Sequence, residues 1–178
     1  MSASAWPLRI AILGTASSGK STLAAALAQR HGTLWVPEYL REFVDTQGRV
    51  PVAADQYPIA RTQVEREDAA AAHARALLFC DTTPLMTAVY SRHYFGGIDA
   101  QLAQLVEQHR YHRTLVMAPD IPWVADGLHR ECEQVSRIVQ DLLLEELARR
   151  AIPYTMVQGG LEQRLAQVDA LLANVAAG

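Results

Sequence analysis

The sequence predicts an α/β fold, a three-layer sandwich around a five-stranded parallel sheet. Three observations point to it. Five short apolar runs alternate with longer helical segments along the whole chain, as in a parallel sheet covered by helices. The runs are apolar on both faces, which strands buried between two helix layers require. A glycine-rich loop stands between the first run and the first helix, where such sheets bind ligands.

The elements follow in order. Residues 1–7 read as a loose tail and Leu8–Leu13 as a buried strand. Gly14–Gly19 is a loop, and Lys20–Arg30 an alanine-rich helix closed by Gly32. Thr33–Val36 is a second strand, stopped by Pro37. Tyr39–Val52 reads two ways: a helical turn over Leu40–Val44, or a loop punctuated by Gly48 and Pro51. Ala54–Ala74 is helical, with Pro58 limiting where the regular part begins. Leu77–Cys80 is a third strand ending in Asp81. Pro84–Tyr94 is a helix with proline in its first turn, and Asp99–His109 a helix capped by Asp99. Leu115–Ala118 is the fourth strand, and the proline-bearing stretch 119–130 a loop. Glu133–Arg150 is a helix, Tyr154–Gln158 the fifth strand, Gly159-Gly160 a turn, and Leu161–Ala176 the closing helix. No repeat or linker interrupts this order, so residues 1–178 are expected to form one domain.

Composition narrows the function. With 178 residues, 50% hydrophobic and 20% charged, the chain resembles an ordinary globular protein. Its net charge of -3 argues against a nucleic-acid partner, which calls for a clustered basic surface. No apolar run reaches membrane-spanning length and no leader pattern opens the chain. Cys80 and Cys132 have neither zinc nor disulfide spacing. A cytoplasmic protein is expected. Among 16 basic residues only Lys20 is lysine.

That lysine sits in Gly14-Thr15-Ala16-Ser17-Ser18-Gly19-Lys20-Ser21, which matches G-x-x-x-x-G-K-[ST], the Walker A phosphate loop, at every fixed position. Glycines let the backbone close around a phosphate, and the loop amides and helix N-terminus aim partial positive charge at it. Gly14, Ser17, Ser18, Gly19, Lys20, Ser21 and Thr22 are therefore expected to hold ATP. Lys20 reaches the terminal phosphates and the Ser21 hydroxyl a Mg²⁺ ion. The P-loop NTP hydrolase fold is the expected architecture.

Asp81, at the end of the third strand, is placed either to hold Mg²⁺ or to cap the helix after it. Glu38, Arg41 and Glu42 share a helical spacing. They supply a base and charge neutralisation for a kinase, or merely a surface ion pair. The loop holding Trp123, Asp126, Gly127, His129 and Arg130 could close over ATP as a lid, or be an ordinary solvated loop. Trp123 suits core packing or stacking.

Several segments together resemble the ribosylnicotinamide kinase domains of the NadR family. Gly14–Thr22 resembles their S-S-G-K-S-T loop, and Pro37-Glu38-Tyr39-Leu40-Arg41-Glu42 their E-Y-x-R-E segment. Cys80-Asp81-Thr82-Thr83 is similar to their D-T-D…T segment. Pro122-Trp123-Val124-Ala125-Asp126-Gly127-Leu128 is similar to their P-W-V-A-D-G-L lid. The resemblance implies transfer of the ATP γ-phosphoryl group to the ribose 5′-hydroxyl of nicotinamide riboside. Lys20, Glu38, Asp81 and Arg130 would then be catalytic, and Ser21 and Asp81 would hold the metal. Glu38, Tyr39, Arg41, Glu42, Asp81, Trp123 and Asp126 would face the nucleoside, and Arg130 the ATP phosphates. In this sequence His129 stands between the lid glycine-leucine pair and Arg130. Pro37 occupies a position where some family members carry tryptophan, so stacking on the base falls to Trp35, Tyr39 or Tyr57.

The other readings are a P-loop kinase for a different small molecule and an ATP-driven switch. A guanine-reading N-K-x-D is impossible, since Asn174 is the sole asparagine and Lys20 the sole lysine.

Overall fold

The computed structural model describes residues 6–125 and 132–176. Strand β1 (Leu8–Leu13) has the bounds expected from its apolar run, because Gly14 follows at once in a backbone conformation no strand adopts. Helix α1 (Lys20–His31) closes on Gly32, whose amide satisfies the Ala28 and Gln29 carbonyls from a left-handed φ of 59°. Strand β2 (Leu34–Val36) follows, and then α2 (Tyr39–Gln47), which ends on Gly48. The ambiguous stretch Tyr39–Val52 is therefore a helix as far as Gln47 and irregular from Gly48 to Val52. The expected helix from Ala54 is instead a 3₁₀ turn (Ala53–Asp55) leading into α3 (Gln56–Ala71). Pro58 fits in the first turn of α3, where its missing N–H leaves no helical bond unmade.

Strand β3 (Leu77–Asp81) includes Asp81 as its last residue. Helix α4 (Pro84–Phe95) begins with proline, and α5 (Ala100–Gln108) is capped by Asp99, whose carboxylate accepts from the Leu102 amide at 2.7 Å. Strand β4 (Arg113–Met117) starts two residues before the expected run, helix α6 (Glu133–Arg149) follows, and β5 (Thr155–Val157) and α7 (Leu161–Ala176) complete the chain.

All pairings are parallel and the strand order is β2-β3-β1-β4-β5. Alternation along the strands sorts the core into two layers. Ile10 and Ile12 of β1, Phe79 of β3 and Leu115 and Met117 of β4 face α1 and α7, where Leu23, Leu27, Leu165 and Val168 cover them. Ala11, Leu13 and Val116 face the opposite layer, packed by Met86 and Val89 of α4, Leu102 of α5 and Val139 and Leu143 of α6. Each such buried aliphatic side chain contributes about 1.5–3 kcal/mol relative to exposure. Cys80 is buried beside Val36 and Leu78, as its strand position predicts. Among the described residues no helix is long and apolar enough to cross a membrane.

This topology sets the site. Strand β1 is central, with β3 on one flank and β4 on the other. Parallel strands bring all their C-terminal ends to one edge. The loop after β1 therefore meets Asp81 and Glu38 on one side and the ends of β4 and β5 on the other.

Candidate functional site

Gly14–Gly19 folds as a phosphate loop. Gly14 has φ 153°, and a Cβ there would stand 2.8 Å from Ser18 Oγ and 3.0 Å from Met117 Cβ. Gly19, at φ 85°, caps α1 and turns the chain into the helix. Inside the bend the Thr15 carbonyl accepts from Ser18 Oγ at 2.7 Å and from Lys20 Nζ at 2.9 Å. Thr15, Ser18 and Lys20 are all buried. Ser17 has a positive φ of 59° and donates its hydroxyl to the Val124 carbonyl, tying the loop to the start of the expected lid.

The Ser21 hydroxyl, in the first turn of α1, donates to Asp81 Oδ2 at 2.6 Å. The parallel register pairs Ile12 with Asp81, which sets that carboxylate beside the end of β1. Asp81 is wholly buried and its Oδ1 meets no hydrogen-bond donor among the described residues. Burial pushes its carboxyl above the usual range. Lys20 opposes that shift, Glu38 adds to it, and the Ser21 bond and Arg41 pull it back. Ionisable groups from α1 and from the start of α2 thus act on the carboxylate that ends β3. Among the described residues no group of three or more His, Cys, Asp or Glu forms a metal cage. The Ser21–Asp81 oxygen pair, with its orphaned Oδ1, is a set of hard oxygen donors of the kind that could hold a divalent cation.

A cavity of about 360 Å³ opens from Ser17–Thr22 of the loop along Glu38 and Arg41 to an apolar end. That end is walled by Leu40, Val44 and Met86 and by Tyr90, Tyr94 and Phe95 from the last turns of α4. Tyr90 and Tyr94 lie near-parallel, with ring centroids 6.2 Å apart. The aromatic wall therefore differs from the expected one. Trp35 and Tyr57 pack against the core, and Tyr39 lies under the Arg66 guanidinium, 4.6 Å from its ring centroid.

The expected substrate face on α2 splits for a geometric reason. Arg41 and Glu42 are consecutive residues of a helix with about 3.6 residues per turn, so they point about 100° apart, while Glu38 is the N-cap with extended backbone. Glu38 and Arg41 line the cavity. Glu42 instead accepts both Arg66 nitrogens, at 2.6 and 2.8 Å, outside the lining. Trp123 is partly buried, also outside the lining, while Asp126 and Arg130 lie outside the described residues.

Two features escaped the motif reading. Thr82, after Asp81, has φ 73°, a conformation strained for a β-branched residue, and its buried Oγ1 is unpartnered. Gln63 of α3 donates toward the Asp81 carbonyl and accepts from the Tyr39 amide at 2.8 Å, locking α2 to the end of β3.

The sequence profile of a family described as an AAA domain matches residues 9–164. The chain belongs to this family. It is also 32% identical, over 154 residues, to the Trifunctional NAD biosynthesis/regulator protein NadR of Escherichia coli strain K12, a match covering 84% of this chain and 38% of the relative. A crystal structure of NadR protein in complex with NAD and AMP-PNP superposes with a TM-score of 0.77 at 20% identity, covering 93% of this chain and 49% of that one. A structure of NadR protein in complex with NR gives 0.76 at 19% identity, with 93% and 51% coverage. The chain thus spans well under half the length of its curated relative, and the likeness fixes the fold as that of the P-loop NTPases.

Proposed function

We propose that the protein is an ATP-dependent small-molecule kinase that phosphorylates the ribose 5′-hydroxyl of nicotinamide riboside to give nicotinamide mononucleotide. The observation that carries this reading is the single cavity that begins at the phosphate loop, passes Glu38 and Arg41, and ends at an aromatic wall. Its loop end suits a phosphate donor and its apolar end a flat ring, with Glu38 and Arg41 at the junction. The NadR relative and the NR complex support the nucleoside named.

In this reading the amides of Gly14–Ser21 and the N-terminus of α1 bind the ATP phosphates. Lys20 leaves the Thr15 carbonyl to neutralise charge on the β- and γ-phosphates. Ser21 and Asp81 hold Mg²⁺, which when bound screens the phosphate charges. The acceptor hydroxyl oxygen bonds to the γ-phosphorus as the bond to the β-phosphate oxygen breaks, and ADP leaves. Glu38 takes the hydroxyl proton, and Arg41 stabilises charge on the phosphoryl group in flight. Tyr90, Tyr94 and Phe95 supply flat apolar contacts for the base. Of the expected lid residues, Arg130 would serve the ATP phosphates, and Trp123 and Asp126 the nucleoside.

Coupled ADP release across a nucleoside panel tests the proposal. Turnover with nicotinamide riboside, absent with deoxynucleosides and without acceptor, is expected. Preference for another nucleoside would reassign the substrate, and acceptor-independent release would favour an ATP-driven switch.

A further inference from the structure

Arg164 lies on α7, far from every motif in the sequence, yet only 3% of it is exposed. A buried guanidinium must be paired, and this one is. Its Nε donates to the Gly159 carbonyl at 2.8 Å and its Nη2 to Asp120 Oδ1 at 2.6 Å and the Ala118 carbonyl at 3.3 Å. Its Nη1 donates to the Ser18 carbonyl at 2.7 Å, inside the phosphate loop. Asp120 closes the ring by accepting the Gly159 amide at 2.6 Å through its other oxygen. The ends of β4 and β5, the first turn of α7 and the phosphate loop are thereby joined through one side chain.

The target of Nη1 matters chemically. The Ser18 carbonyl belongs to the same peptide group as the Gly19 amide, one of the groups the loop turns toward a bound phosphate. A charge-assisted bond to the oxygen of a peptide polarises its N–H and makes it a stronger donor. The approach is also close: a Cβ on Gly19 would stand 3.2 Å from Arg164 Nη1. A side chain at the second Walker glycine would therefore crowd the guanidinium, in addition to the strain of its φ of 85°. A buried ion pair is not needed for stability alone, since apolar side chains of similar volume often serve as well.

We propose that Arg164, held in line by Asp120, is a positioning residue for nucleotide binding, acting through the Ser18–Gly19 peptide. It fixes that peptide's orientation and strengthens the Gly19 amide as a phosphate donor. The inference rests on reading Gly14–Ser21 as the nucleotide site.

The test uses the full chain and its variants Arg164→Lys and Asp120→Asn. Lysine keeps the charge but cannot span the four acceptors, and asparagine removes the anion that orients the guanidinium. The measurements are KM for ATP, KM for the nucleoside acceptor, melting temperature, and the Gly19 amide proton shift with Mg·ADP bound. Arg164→Lys is expected to raise KM for ATP about tenfold or more, leave KM for the acceptor unchanged, and move the Gly19 proton upfield. Asp120→Asn is expected to do the same to a smaller degree, and it decides the matter if Arg164→Lys does not fold. Folded variants with wild-type ATP affinity and an unmoved Gly19 signal would overturn the proposal. So would parallel losses for ATP and acceptor with a lowered melting temperature, which mark a purely structural residue. If the wild-type chain itself bound no nucleotide, the reading of the loop would fail, and that is distinct from a wild type that binds and variants that bind equally.

Discussion

Ser21 and Asp81 are 60 positions apart in sequence, yet the serine hydroxyl donates to the aspartate at 2.6 Å. The contact exists because β3 and β1 are parallel neighbours, so the residue ending one strand meets the helix that follows the other. Removing either partner should damage metal use more than nucleoside binding. We expect Ser21→Ala to raise the Mg²⁺ concentration for half-maximal turnover, and Asp81→Asn to lower kcat by about 100-fold or more, in the range set by losing one preorganised electrostatic contact. A Mg²⁺ titration at saturating ATP checks both.

Lys20 is expected to matter most for the chemical step. Its ammonium rests on the Thr15 carbonyl and must transfer to the phosphates. Lys20→Ala should lower kcat by about 10²–10³-fold and weaken ATP binding, with the melting temperature kept. Unchanged turnover in this variant would refute the phosphate-loop account.

Tyr94 lines the apolar end of the cavity and is 43% exposed, so it carries little of the core. Tyr94→Ala should raise KM for the nucleoside by about 0.5–1.5 kcal/mol equivalent, the worth of one aromatic contact beyond its buried area, while KM for ATP stays fixed. Steady-state kinetics with each substrate varied in turn separates the two.

Glu67 gives the fold a pH dependence. It is wholly buried, accepts from the Tyr111 hydroxyl at 2.8 Å, and burial raises its carboxyl to about 8. The unfolded chain releases that proton near the ordinary carboxylate value of 4.5. Between those values the folded state holds more protons than the unfolded one. Stability should therefore fall as pH rises from about 5 to about 8, with a slope of up to about 1.4 kcal/mol per pH unit. Thermal melts across that range should show the decline in the wild type and a flatter profile in Glu67→Gln.

The strand frame and the phosphate loop were legible because local rules govern them. Leu8–Leu13 is bounded by a glycine that cannot continue the strand, and Asp99 caps α5 through its own third residue. Helix α2 was ambiguous because it is nine residues long and lies between Pro37 and Gly48. Glu42 was assigned to the substrate face by helical spacing, but spacing cannot register that Arg66 on α3 pairs with it outside the cavity. The aromatic wall and Arg164 were hidden for a different reason. Tyr90 and Tyr94 read as ordinary helix residues until the topology turns the end of α4 to the cavity. Arg164 lies 146 positions from the carbonyl it grips.

The solitary lysine has a practical corollary. Among the side chains only Lys20 carries a primary amine, and it is nearly enclosed by its own loop. An amine-directed acylating probe would modify one internal position besides the chain terminus. The mass increment of the intact protein would then read directly how far any added compound shields that one nitrogen, with no engineered tag and no background from elsewhere on the surface.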